Sequence, residues 1–120
     1  MGADSEKTIR AFCEAVERGD IEEILGFFAD GAVYHNIPME PAVGADAIRA
    51  VLQLFVSGPG SVGFEVLAMA SNGDVVFTER VDRLSIGGRD VELPVAGVFE
   101  VRDGKIAAWR DYFDMAGLTG

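Results

Sequence analysis

The sequence predicts an α+β fold: a cone-shaped, curved, mixed or antiparallel β-sheet covered by three N-terminal helices. Two observations predict it. Apolar residues recur at helical spacing through most of the stretch from Asp4 to Val56. From about Val62 the period changes to two, and short turns rich in Asn, Gly and Asp divide the remainder into strands. Helices segregated from strands argue for helices packed on one face of a sheet. A curved sheet covered in this way encloses an interior that can hold a ligand. The 120 residues suit one domain, residues 1–120, with one core.

The elements follow in order. In 4-DSEKTIRAFCEAVERG-19, Ile9, Phe12, Cys13 and Val16 fall on one helical face, Asp4 or Ser5 can cap the start, and Gly19 can end it. Asp20 with Glu23 three residues on is a capping-box pattern opening a second helix, with Ile21, Ile24, Leu25 and Phe28 as its apolar stripe. Gly31 reads as a breaker. The segment AVYHNI at 32–37 then reads as a short strand ended by Pro38 and Pro41. A third helix is expected from about Asp46 to Val56, with Ile48, Val51, Leu52 and Phe55 on one side, stopped by 57-SGPG-60. Four strands at about 62–71, 74–86, 89–102 and 105–114 are joined by 72-NGD-74, 87-GGRD-90 and 102-RDGK-105.

Charge and composition exclude several function classes. A net charge of −10 disfavours a nucleic-acid partner and an anionic membrane surface, since the few basic residues do not cluster. No apolar run is long enough to span a bilayer. The start MGADSEKTIR has no apolar leader, and Glu6 stands where myristoylation needs Ser or Thr. The single cysteine, Cys13, cannot form an internal disulfide, which fits a cytoplasmic location. One His and one Cys without paired-ligand spacing speak against zinc. The stretch 57-SGPGSVG-63 lacks the Lys and Ser/Thr of a phosphate-binding loop, and there is no dinucleotide or nucleophile-elbow motif. No cofactor is expected.

Side chains alternate along a strand. Over 74–86, one face carries Val76, Thr78, Arg80, Asp82, Leu84 and Ile86; the other carries Val75, Phe77, Glu79, Val81, Arg83 and Ser85. In the last strand, Ala107, Trp109, Asp111 and Phe113 share a face, and in the first, Tyr34 and Asn36 lie together. If these faces converge, one apolar pocket holds Tyr34, Asn36, Arg80, Asp82 and Asp111. Two carboxylates sharing one arginine favour one ionised and one protonated acid. Such a pair suits opening a strained ring with water, one group taking a proton and the other giving one. Periodicity leaves a plainer reading open. Arg80 and Asp82 could be a surface ion pair, Asp111 an edge charge, and the run Tyr34–Asn36 loop chemistry.

The segments 34-YHNIP-38, 78-TERVD-82 and 108-AWRDYFD-114, in this order and approximate spacing, resemble the limonene-1,2-epoxide hydrolase family, as do 43-VGADAI-48 and 96-AGVFEV-101. The resemblance runs from about residue 6 to 114. Sequences of the wider nuclear transport factor 2-like superfamily, SnoaL-like cyclases and ketosteroid isomerases among them, share the cone with different polar residues. The resemblance implies Asp111 as general base, Tyr34 and Asn36 as partners holding the attacking water, Asp82 as general acid, and Arg80 as the bridge between the carboxylates. It also implies concerted attack by water, without a covalent enzyme ester, on a lipophilic epoxide. Leu84 and Phe113, by parity, and Leu93 and Val95, by resemblance, are the expected substrate-binding walls.

The six residues after Asp114 leave only a brief segment to close the pocket. His35 has outward parity and reads as structural, Cys13 reads as inert core, and 14-EAVERGDIEE-23 reads as a solvated helix surface. Phe77, Val81 and Tyr112 fall on the opposite sheet face. An apolar face needs covering, which predicts a homodimer through it. Two other classes stay open: an isomerase or cyclase in which an Asp takes a proton from carbon, and a non-catalytic ligand-binding or dimerisation domain.

Overall fold

A computed structural model describes residues 2–119; Met1 and Gly120, the ends of stretches read above, lie outside them. Helix α1 (Gly2–Arg18) buries Ile9, Phe12, Cys13 and Val16 along the face that spacing predicted. It begins two residues before Asp4, so Ser5 is not a cap; its hydroxyl donates to Asp74 Oδ1 at 2.9 Å. Asp20 caps α2 (Ile21–Leu25), accepting from the amides of Glu22 and Glu23. The reciprocal half of the capping box is missing, because the Glu23 carboxylate pairs with Arg18 at 2.8 Å instead.

Strand β1 (Phe28–Asn36) starts four residues earlier than the sequence suggested. The short α2 closes on Gly26, and Phe28 leaves the helix stripe to register with Ile106. Gly31 does not break the element. It has φ +70°, and the register shifts between Phe28 and Val33, so the sheet absorbs it as an irregularity inside the strand. A two-residue strand, β2 (Ala42–Val43), follows the proline turn and pairs with Val33 and Tyr34. Helix α3 (Ala45–Phe55) lies where expected, and buries Ile48 and Leu52.

The meander is β3 (Val62–Asn72), β4 (Val75–Ile86), β5 (Arg89–Arg102) and β6 (Lys105–Tyr112), within a residue or two of the predicted bounds. One short helix, α4 (Ala116–Thr119), was not anticipated. The sheet order is β2-β1-β6-β5-β4-β3. β1 runs parallel to β6 and every other pair is antiparallel, which makes the curved sheet mixed. The helices cover its inner face, and the main core lies between them and β1, β4, β5 and β6. No helix among the described residues is long and apolar enough to cross a membrane.

Candidate active site

Strand β4 alternates as its sequence dictates. Thr78, Arg80 and Asp82 point inward and are buried, while Phe77, Glu79 and Arg83 point outward. β5 alternates likewise, with Val91, Leu93, Val95, Phe99 and Val101 inward. On β6 the register slips by one residue near Ala107, opposite the Glu100–Val101 link. Ile106 therefore turns inward together with Trp109 and Asp111, where strict alternation had put it on the other face. On β1, Tyr34 registers with Trp109 and Asn36 with Asp111, so both face the interior beside them.

All five predicted polar residues meet. Arg80, 1% exposed, donates from Nε to Asp82 Oδ1 at 2.9 Å and from Nη2 to Asp82 Oδ2 at 2.8 Å. The same Nη2 donates to Asp111 Oδ2 at 2.8 Å. Two further groups complete the set. Arg80 Nη1 donates to Thr78 Oγ1 at 3.0 Å, and the Trp109 indole Nε1 donates to Asp111 Oδ1 at 2.7 Å. The guanidinium carbon lies 4.5 Å from the centre of the Phe64 ring, a cation–π contact that an ammonium would fit less well. Among the described residues, every buried side-chain nitrogen or oxygen has a partner. This matters because an unpaired buried charge is costly.

The bridge spans a strand. β5 lies between β4 and β6, and Gly97 registers with Thr78 on one side and Asp111 on the other. A Cβ at Gly97 would sit 2.2 Å from Arg80 Nη1 and 2.7 Å from Asp111 Oδ1. Only a residue without a side chain lets the guanidinium cross to the far carboxylate. Thr78, Trp109 and Gly97 were all missed as site residues. The first two had the parity of Arg80 and Asp111, and a glycine inside a long strand was the signal for the third.

Electrostatics favour a shared proton. Burial raises both carboxyls above the usual range; Arg80 opposes the rise in each, and the charge of Asp82 adds to it at Asp111. Burial alone would lower Arg80, but the two carboxylates more than offset this, so it stays charged. Burial and the nearby Asp111 charge keep the Tyr34 hydroxyl protonated, while its hydrogen bond to Asn36 acts the other way. Burial also pushes the Cys13 thiol up to about 12, so it carries no thiolate at neutral pH.

These groups open onto a cavity of about 60 Å³, room for a few waters. Tyr34, Asn36, Asp82 and Asp111 line it; Arg80 sits behind the carboxylates. The expected walls Leu84, Leu93, Val95 and Phe113 all line it as well. So do Leu52, Phe55 and Val56 at the end of α3, and Leu118 of α4. The segment after Asp114 therefore does reach the cavity, through Leu118. Leu118 packs on Val91, Leu93 and Val95, and Arg89 Nη2 holds its carbonyl at 2.8 Å. His35 is only partly buried and lies outside the cavity lining, its Nε2 2.9 Å from the Met39 carbonyl oxygen, a structural link across the proline turn.

The chain is 38% identical over 109 residues to the epoxide hydrolase EphG of Mycobacterium tuberculosis, covering 89% of this chain and 71% of that protein. A solved LEH-like epoxide hydrolase from M. tuberculosis superposes with a TM-score of 0.81 at 33% identity, covering 98% of this chain and 88% of that one. SalBIII, an epoxide hydrolase/cyclase-like enzyme of pyran ring formation in the polyether salinomycin, shares the fold at 18% identity (TM-score 0.87, covering 94% and 92% of the two chains). Residues 3–119 match the limonene-1,2-epoxide hydrolase catalytic domain. The chain belongs to the limonene-1,2-epoxide hydrolase family.

Proposed function

We propose that this epoxide hydrolase adds water to a lipophilic epoxide by concerted acid–base catalysis, giving a diol without a covalent intermediate. The observation that carries the reading is one guanidinium nitrogen bonded to two buried carboxylates at 2.8 Å each, at the floor of an apolar cavity. Asp111, beside Asn36 and Tyr34, takes a proton from the water they hold. That water attacks one epoxide carbon, the C–O bond breaks, and Asp82 gives its proton to the departing oxygen. The pair begins with one proton and ends with one, on opposite partners. Arg80 keeps its charge and relays the balance between them. Leu84, Leu93, Val95 and Phe113 hold the apolar part of the substrate.

A single turnover in heavy-oxygen water tests the reading. Diol carrying the heavy oxygen, with none in the protein, is the expected result. A first-turnover diol with no heavy oxygen, and the label in a carboxylate of the protein instead, would mean attack by that carboxylate. No diol from a broad set of lipophilic epoxides would overturn the hydrolase reading and favour a cyclase, an isomerase or a binding domain.

The reading extends to assembly. On the outer sheet face, Phe77 is 44% and Tyr112 45% exposed, and Val81 lies four residues on from Phe77 on the same face. Across the strands, Phe77 neighbours Val98, Val81 neighbours Pro94, and Tyr112 neighbours Ala96. A second copy of the chain would cover this apolar strip. Light scattering at micromolar concentration is expected to give a dimer, and Phe77→Asp a monomer. A monomeric parent would sink the proposal.

A further inference from the structure

The two carboxylates are almost equivalent, yet hydrolysis needs them to play opposite parts. Both meet the same nitrogen, Arg80 Nη2, at 2.8 Å. Both are nearly inaccessible, Asp82 at 5% and Asp111 at 3% exposure. Asp82 has a second strong donor in Arg80 Nε at 2.9 Å, so the guanidinium engages both its oxygens. Asp111, the more deeply buried, receives only Nη2 from the arginine. With that bond alone it would be the less well solvated of the two, and the proton would reside there. The base and acid assignments would then be reversed.

What stands against this is the indole of Trp109. Its Nε1–H donates to Asp111 Oδ1 at 2.7 Å, giving each oxygen of Asp111 one N–H donor. An indole donates and never accepts, so it can neither take the proton nor pass it on. The ring cannot turn away. Tyr34 stacks on it at 4.0 Å and 7°, Phe99 lies near-parallel at 5.5 Å and 18°, and Phe12 abuts its edge at 5.1 Å and 83°. Strand alternation points Trp109 inward alongside Asp111 two residues on.

We propose that Trp109 is a positioning residue that assigns the roles, holding Asp111 as the ionised base and leaving the proton to Asp82. The inference rests on the acid–base reading above for its consequence in turnover, but the hydrogen bond can be tested without any substrate. The titratable groups facing Asp111 are Arg80 and Asp82 from β4, Tyr34 from β1 and Cys13 from α1. Of these, the two carboxyls exchange a proton as a coupled pair, so apparent values belong to the pair.

Trp109 is the only tryptophan, so indole-¹⁵N labelling yields one Nε1–H resonance. In the parent protein it is expected far downfield and titrating with the carboxylate pair. In a folded Asp111→Asn variant the titration should be lost. A resonance at an ordinary position, unmoved by pH wherever the protein stays folded, would overturn the proposal whatever the reaction proves to be. In Trp109→Phe, removing the donor disfavours the ionised form of Asp111. The acid limb of kcat/KM should then move up by about one pH unit and the rate at neutral pH fall roughly tenfold. A rate loss with an unmoved limb would make Trp109 mere core and overturn the assignment. If Trp109→Phe does not fold, the resonance of the parent protein decides.

Discussion

Asp111→Asn is expected to lower kcat/KM by about 10²- to 10⁴-fold, the usual range for removing an acid–base group. The variant should fold with some loss of stability, because the new amide NH2 faces Arg80 Nη2, donor to donor. Asparagine keeps an acceptor for the indole, Arg80 keeps both its bonds to Asp82, and one of two buried like charges is gone. Loss of rate with the folded state retained would separate the base from the scaffold. Full activity would remove Asp111 from the chemistry. On the proposed mechanism, turnover in the parent needs one proton on the pair. The rate should fall on the acid side as the pair takes a second proton, and on the alkaline side as it loses its only one. Both carboxyls are raised by burial, so the acid limb should lie above the ordinary carboxylate range.

Arg80→Ala is expected to be the most destabilising change, at about 3–5 kcal/mol near neutral pH, because it strands two buried charges. The sign of its pH dependence is set by the carboxyls. Without the guanidinium their folded-state values rise further above those in the unfolded chain. The folded state then holds more protons than the unfolded one between those limits, so stability falls as pH rises through that window. The deficit should be largest at neutral pH and shrink on acidification. Urea unfolding of parent and variant at mildly acidic and neutral pH measures this. A deficit independent of pH would instead mean lost packing over the Phe64 ring. Arg80→Met, which refills most of that volume without the charge, should share the pH dependence if electrostatics govern.

The two-residue period of β4 was enough to bring Thr78, Arg80 and Asp82 to one face, because a strand buried on one side has no freedom to present its charges otherwise. The same rule misplaced Ile106, since a local register slip near Ala107 breaks alternation and leaves no mark in side-chain pattern. Phe28 was misread because apolar residues at the end of one amphipathic turn fit a helix stripe and a strand equally well; the choice was made by pairing with Ile106 far along the chain. β2 and α4, at two and four residues, are too short for any period to show. Within the site, charged residues announced themselves and the residues that hold them did not. Trp109 reads as ordinary core until its N–H is seen on Asp111, and Gly97 reads as a weak strand residue until the guanidinium is seen crossing over it.

The parallel pairing of β1 with β6 sets the order in which this protein can become an enzyme. Tyr34 and Asn36 meet Trp109 and Asp111 only through that ladder. The partners lie about seventy-five positions apart, a long loop to close before any contact rewards it, and such closures come late in folding. The β3–β4–β5–β6 meander, joined by tight turns, needs no such closure and can bring Arg80, Asp82 and Asp111 together early. On the proposed mechanism the late step is the docking of β1, which brings Tyr34 and Asn36 to the carboxylate pair.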